Sequence, residues 1–81
     1  MTFDNMYLYV KPGCPFCAKV DRFMEKTGIE MEHRSILEGT NREDLVALGG
    51  KAQVPCLVVD GSPLYESMDI VSYLNDKLQE K

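Results

Sequence analysis

The chain has 81 residues, a formal net charge of −4, 44% hydrophobic and 27% charged residues, and three cysteines. That length is read as one small domain, 1–81, near the lower limit for a self-sufficient core, with little chain expected to be left for extra modules. The lack of a basic run disfavours nucleic acid and anionic membranes as partners, and an odd cysteine count argues against a secreted disulfide scaffold. No apolar stretch approaches the ~18 residues of a membrane span. Met1-Thr2-Phe3-Asp4-Asn5 has neither a basic nor an apolar leader segment, so no signal peptide is read and a cytoplasmic location is expected.

Met6-Tyr7-Leu8-Tyr9-Val10 is bulky, β-prone and apolar without alternation, which predicts a strand covered on both faces. From Pro15 to Thr27, Val20, Phe23, Met24 and Thr27 recur at helical spacing, and Gly28 follows as a C′ residue. Ile29 to Ile36 reads as an edge strand with a polar face. It carries the single histidine, His33, expected to face solvent rather than to act as a ligand or base.

Thr40-Asn41-Arg42-Glu43 matches a capping box, with the Thr40 hydroxyl bonding the N3 amide and Glu43 reaching back. The short helix it starts carries Leu45, Val46 and Leu48 and stops at Gly49-Gly50. In Gln53-Val54-Pro55-Cys56-Leu57-Val58-Val59 a β-branched run follows a proline that cannot donate to a ladder, which marks an edge, a bulge or a cis turn. Asp60-Gly61 signals a hairpin into Pro63-Leu64-Tyr65. Ser67 is expected to cap a last helix with Asp69 in its first turn and a stripe of Ile70, Val71, Leu74 and Leu78, and Gln79-Glu80-Lys81 to fray. The order is β-α-β-α-β-β-α, an α/β fold with a four-stranded mixed sheet flanked by three helices. The first three strands, joined through helices, are expected to be parallel, and the hairpin adds one antiparallel strand.

The chemistry concentrates in Lys11-Pro12-Gly13-Cys14-Pro15-Phe16-Cys17, between the first strand and the first helix. Cys14 falls at the helix N-cap and Pro15 at the first helical position, where a missing N–H costs nothing. Unpaired backbone N–H groups, the positive end of the helix dipole and Lys11 all favour a Cys14 thiolate, the reactive form. Cys17, one turn on, is placed to close a disulfide with it. Half of a zinc site is the competing reading, but only Cys56 and His33 remain as ligands and neither belongs to a paired motif. No metal is therefore expected, and Cys56 is read first as a small buried strand residue. A CxxC beside a βαβ pattern is a thioredoxin-like signal.

On these residues the chain resembles the glutaredoxin family from Met6 to about Leu78. Cys14-Pro15-Phe16-Cys17 is similar to the dithiol active site, and Val54-Pro55 to the segment whose proline is cis in the thioredoxin superfamily. Tyr65-Glu66-Ser67-Met68-Asp69 departs from it: paired glycines are absent, and Glu66-Ser67 followed by Ile70 and Tyr73-Leu74 is more like the N-terminal domain of glutathione transferases. The resemblance implies a thioredoxin-like fold and a glutathione-dependent thiol-disulfide oxidoreductase acting as a monomer on disulfide-containing or glutathionylated proteins. Glutathione is then the reductant, with no tightly bound cofactor. Cys14 attacks and Cys17 resolves. Lys11 and Arg42 bind the glycine carboxylate of glutathione, and Phe16 walls the site. Val54 pairs its backbone with the tripeptide, Pro55 holds that backbone shape, and Ser67 and the Met68 amide take the γ-glutamyl carboxylate. Beside this stand a glutaredoxin-like electron donor served by thioredoxin reductase, a module holding an iron–sulfur cluster between protomers, and, more weakly, a transferase.

Overall fold

The computed structural model describes residues 2–79. Its elements are β1 (Thr2–Val10), α1 (Pro15–Thr27), β2 (Glu30–Ser35), α2 (Asn41–Gly49), β3 (Cys56–Val59), β4 (Ser62–Tyr65) and α3 (Ser67–Gln79). They form one mixed sheet in the order β2-β1-β3-β4, with the polar strand β2 at an edge as its composition predicts. The arrangement is α/β and thioredoxin-like.

Strand alternation divides the core in two. Met6 and Leu8 of β1 and Leu57 of β3 face one side, where Val20 and Met24 of α1 and Ile70 and Leu74 of α3 close over them. Tyr9, Cys56 and Val58 face the other side, covered by Leu45 of α2. The central strands are therefore buried on both faces, which is why β1 shows no alternation of polar and apolar residues. Helix α1 ends where Gly28 turns left-handed at φ 78°, its N–H bonding the Met24 carbonyl. The hairpin turn places Asp60 at φ 51° and Gly61 at φ 83°, the two positive values that a tight two-residue turn requires.

Five expectations are corrected. β1 begins at Thr2 rather than Met6. Its extra length meets the distant hairpin, with the Asp60 amide donating to the Asn5 carbonyl at 3.0 Å. β1 and β2 are parallel, but β3 runs antiparallel to β1. Val10 pairs with Ser35 and Tyr9 with Cys56, so the chain leaves β2 and enters β3 at the same end of β1. The connection through α2 goes out and back and never crosses the length of the sheet, so the parallel crossover rule does not govern it.

The capping box does not form, and no side chain caps α2 at Thr40, whose ψ of 13° is not the extended conformation such a bond needs. The Thr40 hydroxyl donates instead to Asp44 Oδ2 at 3.2 Å, and Asn41 Nδ2 ties the helix start to the Ser35 carbonyl at 2.9 Å. Ser67 lies inside α3 rather than before it. The Ile70 amide bonds the Glu66 carbonyl at 3.0 Å, and Glu66, at φ 73°, turns the chain into the helix. Of the tail expected to fray, Gln79 closes α3, while Glu80 and Lys81 lie outside the described residues.

Leu57 is fully buried between β1 and the α1–α3 layer, whereas Val46 is 39% exposed. Leu57→Ala is expected to lower the unfolding free energy by about 2–5 kcal/mol, and Val46→Ala to leave it within about 0.5 kcal/mol of wild type. Urea denaturation of the two variants checks the contrast.

Candidate functional site

The site grows out of the end of β1. Pro12-Gly13 turns the chain, with Gly13 at φ 79° and the Cys14 amide bonding the Lys11 carbonyl at 3.3 Å. Cys14 then takes the extended conformation of an N-cap, φ −83° and ψ 116°, and Pro15 opens the helix. In place of the usual hydroxyl or carboxylate oxygen, the cap is a sulfur: the Cys17 amide donates to Cys14 Sγ at 3.4 Å.

The two thiols occupy unlike environments although three residues apart. Burial by itself pushes the Cys14 thiol up. That is outweighed by hydrogen bonds from the Cys17 thiol and from the Cys17 and Phe16 amides, and by the Lys11 charge, so Cys14 ionises below the ordinary thiol range. Cys17 is 4% exposed. Burial, the bond to Cys14 and the negative charges of Cys14 and Asp21 push it up to about 12. Cys56 has no exposed surface, and burial raises its thiol to about 11. All three cysteines are free thiols.

Two hollows share α1 as a common wall. One, of about 450 Å³, is lined by Lys11, Cys14, Cys17, Asp21 and Ser35 among others. The second, of about 380 Å³, gathers Phe16 and Lys19 from α1, Gln53-Val54-Pro55 ahead of β3, and Glu66-Ser67-Met68 at the start of α3. The Val54–Pro55 bond is cis, one of the three forms the sequence allowed. Phe16 is 54% and Met68 68% exposed, giving the second hollow an apolar rim, and Lys19 Nζ lies 5.5 Å from the Phe16 ring centre.

The fold thus brings Phe16, Val54, Pro55, Ser67 and Met68 together and sets Lys11 beside the thiols. Arg42, exposed on α2, lines neither hollow. Lys19, Gln53, Glu66 and Asp21 line them without having been singled out as site residues. Gln53 and Glu66 directly precede motifs that were, and Asp21 lies one helical turn after Cys17, so spacing alone could have flagged them. His33, as expected, is an exposed edge residue, its ring nitrogens 3.0 Å from the Met31 carbonyl and 2.7 Å from Asp21 Oδ1. A larger hollow of about 570 Å³ lies beside it between α1 and β2. It shares Asp21 with the hollow of the pair but is lined by no thiol, so its size does not make it the better candidate. Among the described residues no group of three His, Cys, Asp or Glu side chains could hold a metal ion.

Alkylation followed against pH is expected to show Cys14 reacting with a midpoint below the free-thiol value of ~8.5, while Cys17 stays protonated toward about 12. Lys11→Gln removes a charge that favours the thiolate and so moves the Cys14 midpoint upward. Equal reactivity of Cys14 and Cys17 at neutral pH contradicts the asymmetry.

Residues 8–81 match the family model "Glutathione S-transferase, N-terminal domain". The hybrid peroxiredoxin hyPrx5 of Haemophilus influenzae is 27% identical over 70 residues, which cover 86% of this chain and 29% of that protein. Glutathione transferase Omega 3C from Trametes versicolor superposes with a TM-score of 0.80 at 20% identity, over 96% of this chain and 35% of the transferase. Rice GST1, solved in complex with glutathione, gives a TM-score of 0.75 at 26% identity, over 91% and 34% of the two chains. The thioredoxin-like protein BC3987 gives 0.72 at 21% identity, over 90% of this chain and 97% of its own. The chain therefore spans about a third of the transferases and less than that of the hybrid peroxiredoxin. Its fold is that of the thioredoxin-like proteins, and by sequence it belongs to the family of glutathione S-transferase N-terminal domains.

Proposed function

We propose that the chain is a dithiol, glutaredoxin-type oxidoreductase that uses glutathione to reduce glutathione mixed disulfides and protein disulfides. The observation that carries this reading is the placement of the pair: Cys14 Sγ caps α1 and accepts from the Cys17 amide at 3.4 Å, which favours its thiolate, while Cys17 is 4% exposed and burial opposes its ionisation. A nucleophile must be a thiolate at working pH, and a resolving thiol must not compete with it for the first attack. Similarity to a hybrid peroxiredoxin and to a transferase solved with glutathione supports the same chemistry.

In the first step the Cys14 thiolate attacks the glutathione sulfur of a mixed disulfide. The substrate leaves as a thiolate that takes a proton from water, and Cys14 becomes glutathionylated. A second glutathione, as thiolate, attacks the sulfur of the bound one, releasing oxidised glutathione and restoring Cys14. With a protein disulfide, Cys14 forms the mixed disulfide with one substrate sulfur. Cys17 then gives up its proton and attacks Cys14 Sγ, expelling the substrate thiolate. Two glutathione molecules reduce the resulting Cys14–Cys17 disulfide.

Glutathione would lie along the second hollow with its backbone against Val54, kept in shape by Pro55, and its γ-glutamyl carboxylate at the Ser67 hydroxyl and the Ser67 and Met68 amides. Phe16 supplies an apolar wall. Lys11, beside the thiols, is the nearer of the two cations proposed for the glycine carboxylate, and Arg42 would have to reach it from α2. A monomer working in the cytoplasm belongs to the same proposal. A second reading, an electron donor reduced by a thioredoxin reductase, is favoured by the Glu66-Ser67 segment, which lacks the paired glycines of the glutaredoxin pattern.

Glutathione-coupled reduction of a small mixed disulfide separates these readings. Cys14→Ser is expected to lose activity by at least about a hundredfold, since no other thiolate can attack, as expected for removing a covalent nucleophile. Cys17→Ser is expected to keep the mixed-disulfide activity within a few fold, roughly, and to lose protein disulfide reduction, because only the latter needs the second thiol. An inactive wild type whose Cys14–Cys17 disulfide is turned over by a thioredoxin reductase overturns the glutathione reading in favour of the second.

A further inference from the structure

Tyr65 ends β4, paired across the hairpin with Cys56. Its hydroxyl donates to the Lys51 carbonyl at 2.9 Å, and Lys51 Nζ sits 4.5 Å from the ring centre. The ring lies on Gly49, the last residue of α2. A Cβ there would fall on the Tyr65 hydroxyl and come within 2.8 and 3.0 Å of two ring carbons. Gly49 is not left-handed, so its lack of a side chain answers to the close approach of Tyr65 rather than to backbone conformation.

The Tyr65–Lys51 hydrogen bond joins the two chain segments that run into the walls of the second hollow. Lys51 stands two residues before Gln53-Val54-Pro55, one wall, and Tyr65 directly before Glu66-Ser67-Met68, the other. The same walls are joined again by Gln53 Nε2 donating to Glu66 Oε1 at 3.1 Å. The walls are thus tied twice, through the Tyr65 hydroxyl to Lys51 and through Gln53 to Glu66.

We propose that Tyr65, seated on Gly49, is a positioning residue that sets the separation of these walls so that an extended γ-glutamyl tripeptide thiol spans them. The proposal rests on the glutathione reading above. A ligand that pairs with the Val54 backbone and also reaches the Ser67 and Met68 amides needs both at hydrogen-bond distance together, and a displacement of about 1 Å breaks one set. At about 380 Å³ the hollow is near the small end of ligand sites and leaves little slack. Tyr65 itself does not line the hollow, so it acts on the ligand only through the segments it holds.

Tyr65→Phe keeps the ring on Gly49 and removes the donor. The Michaelis constant for glutathione is expected to rise about 3–10-fold, the equivalent of one ordinary hydrogen bond. Turnover at saturating glutathione and the Cys14 alkylation midpoint should stay unchanged, and amide exchange at Gln53 and Val54 should quicken. Gly49→Ala should raise the Michaelis constant too. In the double variant the rise should fall short of the product of the two single effects, because Phe lacks the hydroxyl that the new methyl group strikes. An active Tyr65→Phe enzyme with a wild-type Michaelis constant, even one that melts earlier, overturns the proposal and leaves Tyr65 a structural staple. If wild type itself shows no turnover with glutathione, the functional reading fails separately and exchange decides the spacing role. Faster exchange at Gln53 and Val54 in Tyr65→Phe then sustains that role, and unchanged rates there overturn it.

Discussion

The start of α1 is the constraint on which the rest of this molecule turns. A helix begins with backbone N–H groups that have no partner within it, and here one of them, from Cys17, is directed at a sulfur. The same geometry that satisfies the helix end therefore stabilises negative charge on Cys14. Lys11 adds to this from the turn before it, and the proline at the first helical position gives up no hydrogen bond. One turn further in, Cys17 must enter the core, where burial opposes its ionisation. Capping and burial, two ordinary requirements of folding a helix onto a sheet, thus set a readily ionised thiol and a protonated one within four residues.

That arrangement holds only because α1 is fixed on both sides. Val20 and Met24 anchor it to β1, β3 and α3 through the larger core. β1, buried on both faces, delivers the turn from which the helix starts. The other face of the sheet, under α2, carries Tyr9, Cys56 and Val58. Cys56 is the strand residue next to cis-Pro55, yet its side chain belongs to that second core and has no exposed surface. Of the three thiols, the sheet's alternation buries one in the second core, and the start of α1 sets the unlike environments of the other two.

Features written in consecutive residues were legible in advance. Cys14 as cap, Pro15 as first helical residue, Gly28 as the left-handed stop and Asp60-Gly61 as the hairpin turn each depend on a residue's own backbone preference or on neighbours within one turn. The features missed depend on which of several possible partners or backbone conformations the packed chain selects, some near in sequence and some distant. Thr40 has a capping-box spacing, but Asn41 is held by Ser35 and the Thr40 hydroxyl turns to Asp44, so the box never closes. Ser67 falls one place inside its helix because Glu66 takes a positive φ where the chain leaves β4. Gly49 reads as a helix stop, while its close contact is with a tyrosine sixteen positions on, at 65.

By itself, then, the sequence determined the order of elements, the placement of a CxxC at a helix start and the edge character of β2, while the segments that line the second hollow were implied by the family resemblance. The first three follow from periodicity, capping and turn chemistry, which act over a few residues. The tertiary structure alone decided that β3 runs antiparallel to β1 and which face of the sheet receives Cys56. It also decided that Arg42 lines neither hollow and that Tyr65 ties the two walls together. Those outcomes depend on how strands pair and how side chains pack across long stretches of chain, and no local pattern encodes them.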